Sequence, residues 1–99
     1  MYVSIFTHFL DEEGNIPKDT PEEARELASF HALIVDEATA HLPETICYTD
    51  ISCFNKECDS NTITEIVEDG KKIWWYCPEC DMEGVISDWQ GSRWDNSKK

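Results

Sequence analysis

Hydrophobic and polar positions follow three different rhythms along this chain. The first stretch, Met1 to Leu10, is rich in β-branched and aromatic residues (Tyr2, Val3, Ile5, Phe6, Thr7 and Phe9), which suits a strand. Its alternation is imperfect. Val3, Ile5 and Phe9 fall on one side, Tyr2, Phe6 and Leu10 on the other. The segment is expected to be a strand covered on both faces, or a partly irregular arm. Asp11 to Asn15 then reads as a polar turn.

The second rhythm is helical. Ala24, Leu27, Ala28, His31, Ile34, Val35, Ala38 and Leu42 recur at helical spacing, and Phe30 and Leu33 widen the stripe. Thr20 is the expected N-cap, Pro21 the first helical residue, and Glu23 the partner in a capping box. Acidic residues in the first turn suit the positive end of the helix dipole. Pro43 ends the periodic run, so the helix is expected from about Pro21 to about His41. Pro43 to Ser52 reads as a connector.

The third rhythm is that of short strands. Asn61 to Glu68 and Lys71 to Tyr76 flank Asp69-Gly70, a two-residue hairpin signal of the type I′ kind. Gly84 to Trp89 is expected to be a third short strand, and Asn96 to Lys99 a frayed tail.

The chemistry sits at the ends of that hairpin. Cys53 and Cys58 precede it, and Cys77 and Cys80 follow it. Two close cysteine pairs separated by one hairpin are the pattern of a four-thiolate zinc site. Zinc accepts a tetrahedron of sulfurs with no d-electron preference for another geometry. Four protein ligands leave no open position, so one structural Zn2+ is expected, with iron the less favoured ion. Cys47 is a fifth cysteine. It reads as a small buried hydrophobe, with replacement of Cys53 as a ligand the alternative. His31 falls on the apolar helix stripe and reads as a core residue. The spacing of His8, His31 and His41 indicates no second metal site.

Composition narrows the partners. The formal charge is −13 over 99 residues. Residues 1–52 carry eleven acids against two bases, and residues 53–99 ten against six. Nucleic-acid binding draws much of its affinity from basic side chains against phosphate, so this balance disfavours it. A regulator that binds nucleic acid is the alternative, through a local patch of Lys56, Lys71, Lys72 and Arg93. A basic protein partner suits the acidic surface better. Trp74, Trp75, Trp89 and Trp94 all fall in the second half. They read either as cover for a thin core or, for Trp89, Arg93 and Trp94, as part of a partner surface. The chain shows no apolar run long enough to span a membrane, and its first residues lack the features of a secretory signal. Paired cysteines are then expected to bind metal in the cytosol rather than form disulfides. The sequence does not indicate the oligomeric state or an enzymatic activity.

Cys77-Pro78-Glu79-Cys80, with Gly84 close behind, resembles the second knuckle of zinc-ribbon and rubredoxin-like folds. Such knuckles usually carry Gly just after the second cysteine, where this chain has Asp81, and their first pair is usually closer than Cys53 and Cys58. The run from Ile73 through Gln90-Gly91 to Trp94-Asp95, together with the helix around Pro21 to Thr39, resembles a small uncharacterised bacterial zinc-ribbon family. That resemblance implies a zinc ribbon and brings no activity with it. The expected fold is α+β: a long N-terminal helix packed on a C-terminal three-stranded zinc ribbon. The expected organisation is a strand and helix lobe (1–52), the ribbon (53–95) and a flexible tail (96–99), acting as a non-enzymatic protein-interaction or adaptor module.

Overall fold

The computed structural model describes residues 2–55 and 57–97. Strand β1 (Tyr2–Ile5) leads into a short 3-10 turn (Phe6–Phe9), and helix α1 (Glu22–Ala40) follows. Strands β2 (Ile46–Ser52), β3 (Asn61–Val67), β4 (Lys72–Tyr76) and β5 (Glu83–Ser87) complete the chain. They form one five-stranded sheet in the order β1-β5-β4-β3-β2. All neighbours are antiparallel except β1 and β5, which run parallel with Val3 opposite Val85.

This corrects the expected fold. The helix lies mid-chain, and the sheet against which it packs is a mixed five-stranded one rather than a three-stranded ribbon. The expected boundary after residue 52 falls where β2, hydrogen-bonded to β3, ends at Ser52. The reason lies in two strands whose pairing leaves little trace in local sequence. β1 joins a strand more than eighty residues away. β2 turns its small polar residues inward: Cys47 and Thr49 are buried, while Ile46 and Tyr48 face out. The inner row is held by polar bonds instead of apolar packing. Thr49 Oγ1 lies 2.7 Å from Thr62 Oγ1 and donates to the Thr62 carbonyl, while Thr62 Oγ1 donates to the Ile51 carbonyl. An alternation of this kind does not register as a hydrophobic one.

One face of the sheet packs on α1. Thr62, Thr64 and Ile66 of β3, Ile73 and Trp75 of β4, and Gly84 and Ile86 of β5 point inward. They meet Phe30, Ile34, Val35 and Ala38 of the helix. Gly84 sits opposite Trp75 in the β4–β5 ladder. A Cβ there would lie 2.7 Å from the indole, so the fully buried Trp75 requires a glycine at that place. The opposite face of the sheet is uncovered: Val3 and Tyr48 are about four-fifths exposed, and Trp74 stacks on Tyr76 at 4.4 Å.

The helix starts later than the capping residues indicate. Pro21 occupies the N-cap position with extended backbone, and no side chain caps the end. Thr20 and Glu23 form no capping box. Pro21 instead accepts the Arg25 N–H with its carbonyl at 2.9 Å. Glu22 and Glu23 still lie in the first turn, at the positive end of the dipole. Of the expected stripe, Leu33 and Leu42 are exposed. The β3–β4 turn falls at Asp69-Gly70 as expected, with the Lys71 N–H bonded to the Glu68 carbonyl, but φ is positive at Glu68 as well as at Asp69 and Gly70.

Asn96 and Ser97 are anchored rather than frayed. Asn96 donates its backbone N–H to Thr39 Oγ1 and its amide to the Asp36 carbonyl and carboxylate. Ser97 donates its N–H to the buried Asp95, whose other oxygen accepts the Gly91 N–H. Lys98 and Lys99 lie outside the described residues, as does Lys56.

Candidate metal centre

Strands β2 and β4 run in the same direction on either side of β3, so their C-terminal ends lie at one end of the sheet. The cysteines occupy the two connections that leave those ends: Cys53 and Cys58 after β2, Cys77 and Cys80 after β4. Each connection is closed by backbone bonds. The Cys53 N–H bonds to the Ser60 carbonyl at 2.9 Å, and the Cys77 N–H to the Met82 carbonyl at 3.0 Å. Within the wider first loop, the Cys58 N–H bonds to the Asn55 carbonyl, and the Asn55 side chain accepts the Glu57 N–H. These bonds shape a loop of four intervening residues into a second tight turn.

The result brings all four sulfurs within 4.8 Å of one another. Cys53 Sγ lies 3.5 Å from Cys80 Sγ, and Cys58 Sγ 3.5 Å from Cys77 Sγ. A zinc–sulfur bond of about 2.3 Å sets the edge of a tetrahedron of sulfurs at about 3.8 Å. The observed separations therefore fit a single ion at the centre. They are far too long for disulfides, which hold sulfurs about 2.05 Å apart, and all five cysteines are free thiols.

The thiols of Cys53, Cys58 and Cys77 differ in their electrostatics. Burial pushes the Cys53 thiol up to about 12, against the Asn55 N–H, which favours its thiolate. At Cys77 burial acts in the same direction, but the Glu79 N–H and the neighbouring sulfurs outweigh it and bring the thiol down to about 7. The Ser60 N–H favours the Cys58 thiolate, and the adjacent Cys77 sulfur with burial raises that thiol on balance. Each N–H belongs to the residue two places beyond its cysteine, which is the turn geometry expected of thiolate-binding knuckles. A divalent cation relieves the repulsion that keeps such a cluster partly protonated. Asp81, standing where related knuckles carry Gly, is not among the residues with positive φ. Its departure from the usual pattern therefore imposes no backbone strain.

The centre is tied to the core by one aromatic. Phe54, inside the first loop, packs on Phe30 of α1 at 5.1 Å and edge-on to Tyr2 of β1 at 6.0 Å. Phe30 and Tyr2 in turn contact Trp75.

The remaining sequence candidates separate. Trp89 is only 3 % exposed and belongs to the core, so its ring is not available to a partner. Trp94 is half-buried, edge-on to Phe6 at 5.5 Å. Arg93 is exposed beside it. Of the basic patch, Lys72 pairs with Glu68 at 3.1 Å. Cys47 is buried at the opposite end of β2 from Cys53, out of reach of the four-sulfur cluster. His31 is fully buried between Phe9 and Phe30, and neither ring nitrogen has a hydrogen-bond partner. Burial lowers its pKa to about 4.

Sequence reasoning missed a groove between α1 and β2. It encloses about 900 Å3 and is lined by Glu22, Glu26, Glu37 and Asp50 around Phe30 and Ile51. Nothing in the linear pattern marks it, because it requires β2 to be a strand at the sheet edge. No helix among the described residues is long and apolar enough to cross a membrane. In comparisons with known proteins, the chain matches no family model, no curated protein and no solved structure.

Proposed function

We propose that this chain is a structural-zinc protein without catalytic activity at its metal, serving as an interaction module for a basic, extended segment of another protein. The observation that carries the metal half of this reading is the convergence of Cys53, Cys58, Cys77 and Cys80 within 4.8 Å. Four sulfurs occupy every position of a tetrahedral ion and leave none for water, which is the arrangement of structural zinc. Iron in the same four sulfurs would give a coloured protein and zinc a colourless one. That the chain is related to a family of small bacterial proteins, on the likeness from Ile73 to Asp95 and around α1, is likewise part of this proposal and adds no activity to it.

The partner half rests on the groove. Glu22, Glu26, Glu37 and Asp50 surround an apolar floor, with Arg25 the one basic residue among the described lining residues. β2 ends the sheet, so one row of its backbone N–H and C=O groups has no strand beside it. A strand edge flanked by carboxylates suits a segment that adds backbone hydrogen bonds and carries Lys or Arg alternating with apolar residues. The test is fluorescence anisotropy with two labelled twelve-residue peptides, alternating Lys–Val and alternating Glu–Val. The Lys–Val peptide is expected to bind, to weaken as salt rises, and to bind at least tenfold more weakly to Asp50→Lys/Glu22→Lys. Equal behaviour of the two peptides, or no effect of the charge reversals, would refute the groove as the docking site.

A further inference from the structure

The end of α1 and the start of β2 bring together three side chains that the four-sulfur centre does not use. Glu37 and His41 lie one helical turn apart at the helix C-terminus, and His41 Nε2 is 3.1 Å from Glu37 Oε1. Cys47, the second residue of β2, points inward from the sheet edge toward that turn. A carboxylate oxygen, an imidazole nitrogen and the Cys47 sulfur all lie within 4.8 Å of one another. We propose that Glu37, His41 and Cys47 form a second, exchangeable site for a divalent transition-metal ion, with zinc the expected ion.

Several independent features converge on it. The donor set is one oxygen, one nitrogen and one sulfur. Metal–ligand bonds of about 2.0–2.3 Å place donors of a tetrahedral ion about 3.3–3.8 Å apart, within reach of the observed arrangement. Two ligands come from the helix and one from the strand, so the ion would bridge separate elements. The thiol is buried while His41 and Glu37 are partly open to solvent, with their side chains 47 % and 37 % exposed. An ion seated here has protein on one side and water on the other. Three protein ligands with the fourth position facing solvent is the count that distinguishes an exchangeable or reactive zinc from a closed structural one. The neighbours favour a cation: Glu37, Glu44 and Asp50 all act on Cys47 electrostatically. Burial first, and then those carboxylates, raise the Cys47 thiol above its ordinary range, so its proton leaves to solvent as the ion binds.

The site is distinct from the first. Cys53 lies six positions beyond Cys47, just past the end of β2, which at about 3.3 Å per residue is roughly 20 Å. It also does not rest on the four-sulfur reading. Soft and borderline ligands select zinc, cobalt and nickel over magnesium and calcium, and three donors among the described residues, against four at the closed centre, predict weaker binding.

The test is a Co2+ titration of protein purified with zinc, under a reducing agent that does not bind metal. Metal content measured before the titration reports the four-cysteine centre separately. The expected result is one saturable equivalent of cobalt, with near-ultraviolet absorption from a thiolate bound to the ion. That absorption should vanish in Cys47→Ser. It should weaken at least tenfold in apparent affinity in His41→Ala, a half-exposed position that leaves the fold intact, while magnesium fails to compete. Titration with no saturable equivalent, or cobalt absorption unchanged in both Cys47→Ser and His41→Ala, would overturn the assignment.

Discussion

His31 shows how a single side chain can set a pH limit on the whole fold. Its ring is fully buried and neither nitrogen has a partner. The neutral form is tolerated, whereas the charged form is not, and burial lowers the pKa from 6.5 to about 4. Between those values the unfolded chain binds a proton that the folded chain excludes. Stability must therefore fall as pH drops from about 6.5 toward 4, and the loss is complete below 4. The shift corresponds to roughly 3 kcal/mol. His31→Leu removes both the titration and two unpaired buried nitrogens. At neutral pH it is expected to be as stable as the wild type or up to about 2 kcal/mol more stable. Urea melts of the two proteins at pH 7 and pH 5 should show the gap widening in favour of the variant at the lower pH. A gap independent of pH would remove His31 as the titrating group.

At the scale of elements, the parts that were legible in the sequence are those that repeat locally. The α1 stripe, the Asp69-Gly70 turn and the two cysteine pairs each depend on neighbours within a few residues; the turn and the pairs stand where the pattern places them, and the stripe does so apart from Leu33 and Leu42, which are exposed. The parts that were not legible depend on distant partners. Tyr2–Ile5 is the strand and Phe6–Phe9 the irregular part that the pattern indicates, but nothing local shows that β1 pairs in parallel with β5 or that Phe6 packs against Trp94. β2 was hidden because its inward positions are Cys47 and Thr49, satisfied by hydroxyl bonds across to Thr62. Trp89 was open to a surface reading because a short segment does not reveal which side of a turn meets the core.

The C-terminal segment gives this scale its own test. Asn96 makes three hydrogen bonds to Asp36 and Thr39 near the end of α1. Asn96→Ala removes the two made by its side chain, which are solvent-accessible. It is expected to lower stability by about 0.5–1.5 kcal/mol in a urea melt. A change indistinguishable from zero would mean the segment is not held at α1 in solution.

For the molecule as a whole, one helix covers one side of a five-stranded sheet among the described residues, with β1 and β2 as its edge strands. A chain of 99 residues with a charge of −13 has a small core and considerable self-repulsion. An ion held by the four sulfurs would offset the first of these, the small core, by cross-linking it. It joins the β2–β3 connection to the β4–β5 connection, and Phe54 carries that link to α1 and β1. The link therefore reaches the helix and strands β1 to β5. Structural zinc in small modules contributes on the order of 10–16 kcal/mol of apparent binding free energy at neutral pH. That equals or exceeds the roughly 5–15 kcal/mol by which domains are stable at all.

The most direct test of this account is a thermal melt of the reduced protein, followed by circular dichroism, before and after a strong chelator has removed its metal. The account predicts that the chelated protein melts at least about 20 °C lower or is already unfolded at 25 °C, since each kcal/mol shifts the midpoint of a domain this size by roughly 4–8 °C. Identical melting curves, with metal analysis confirming that the four cysteines had been stripped or had never held an ion, would contradict it.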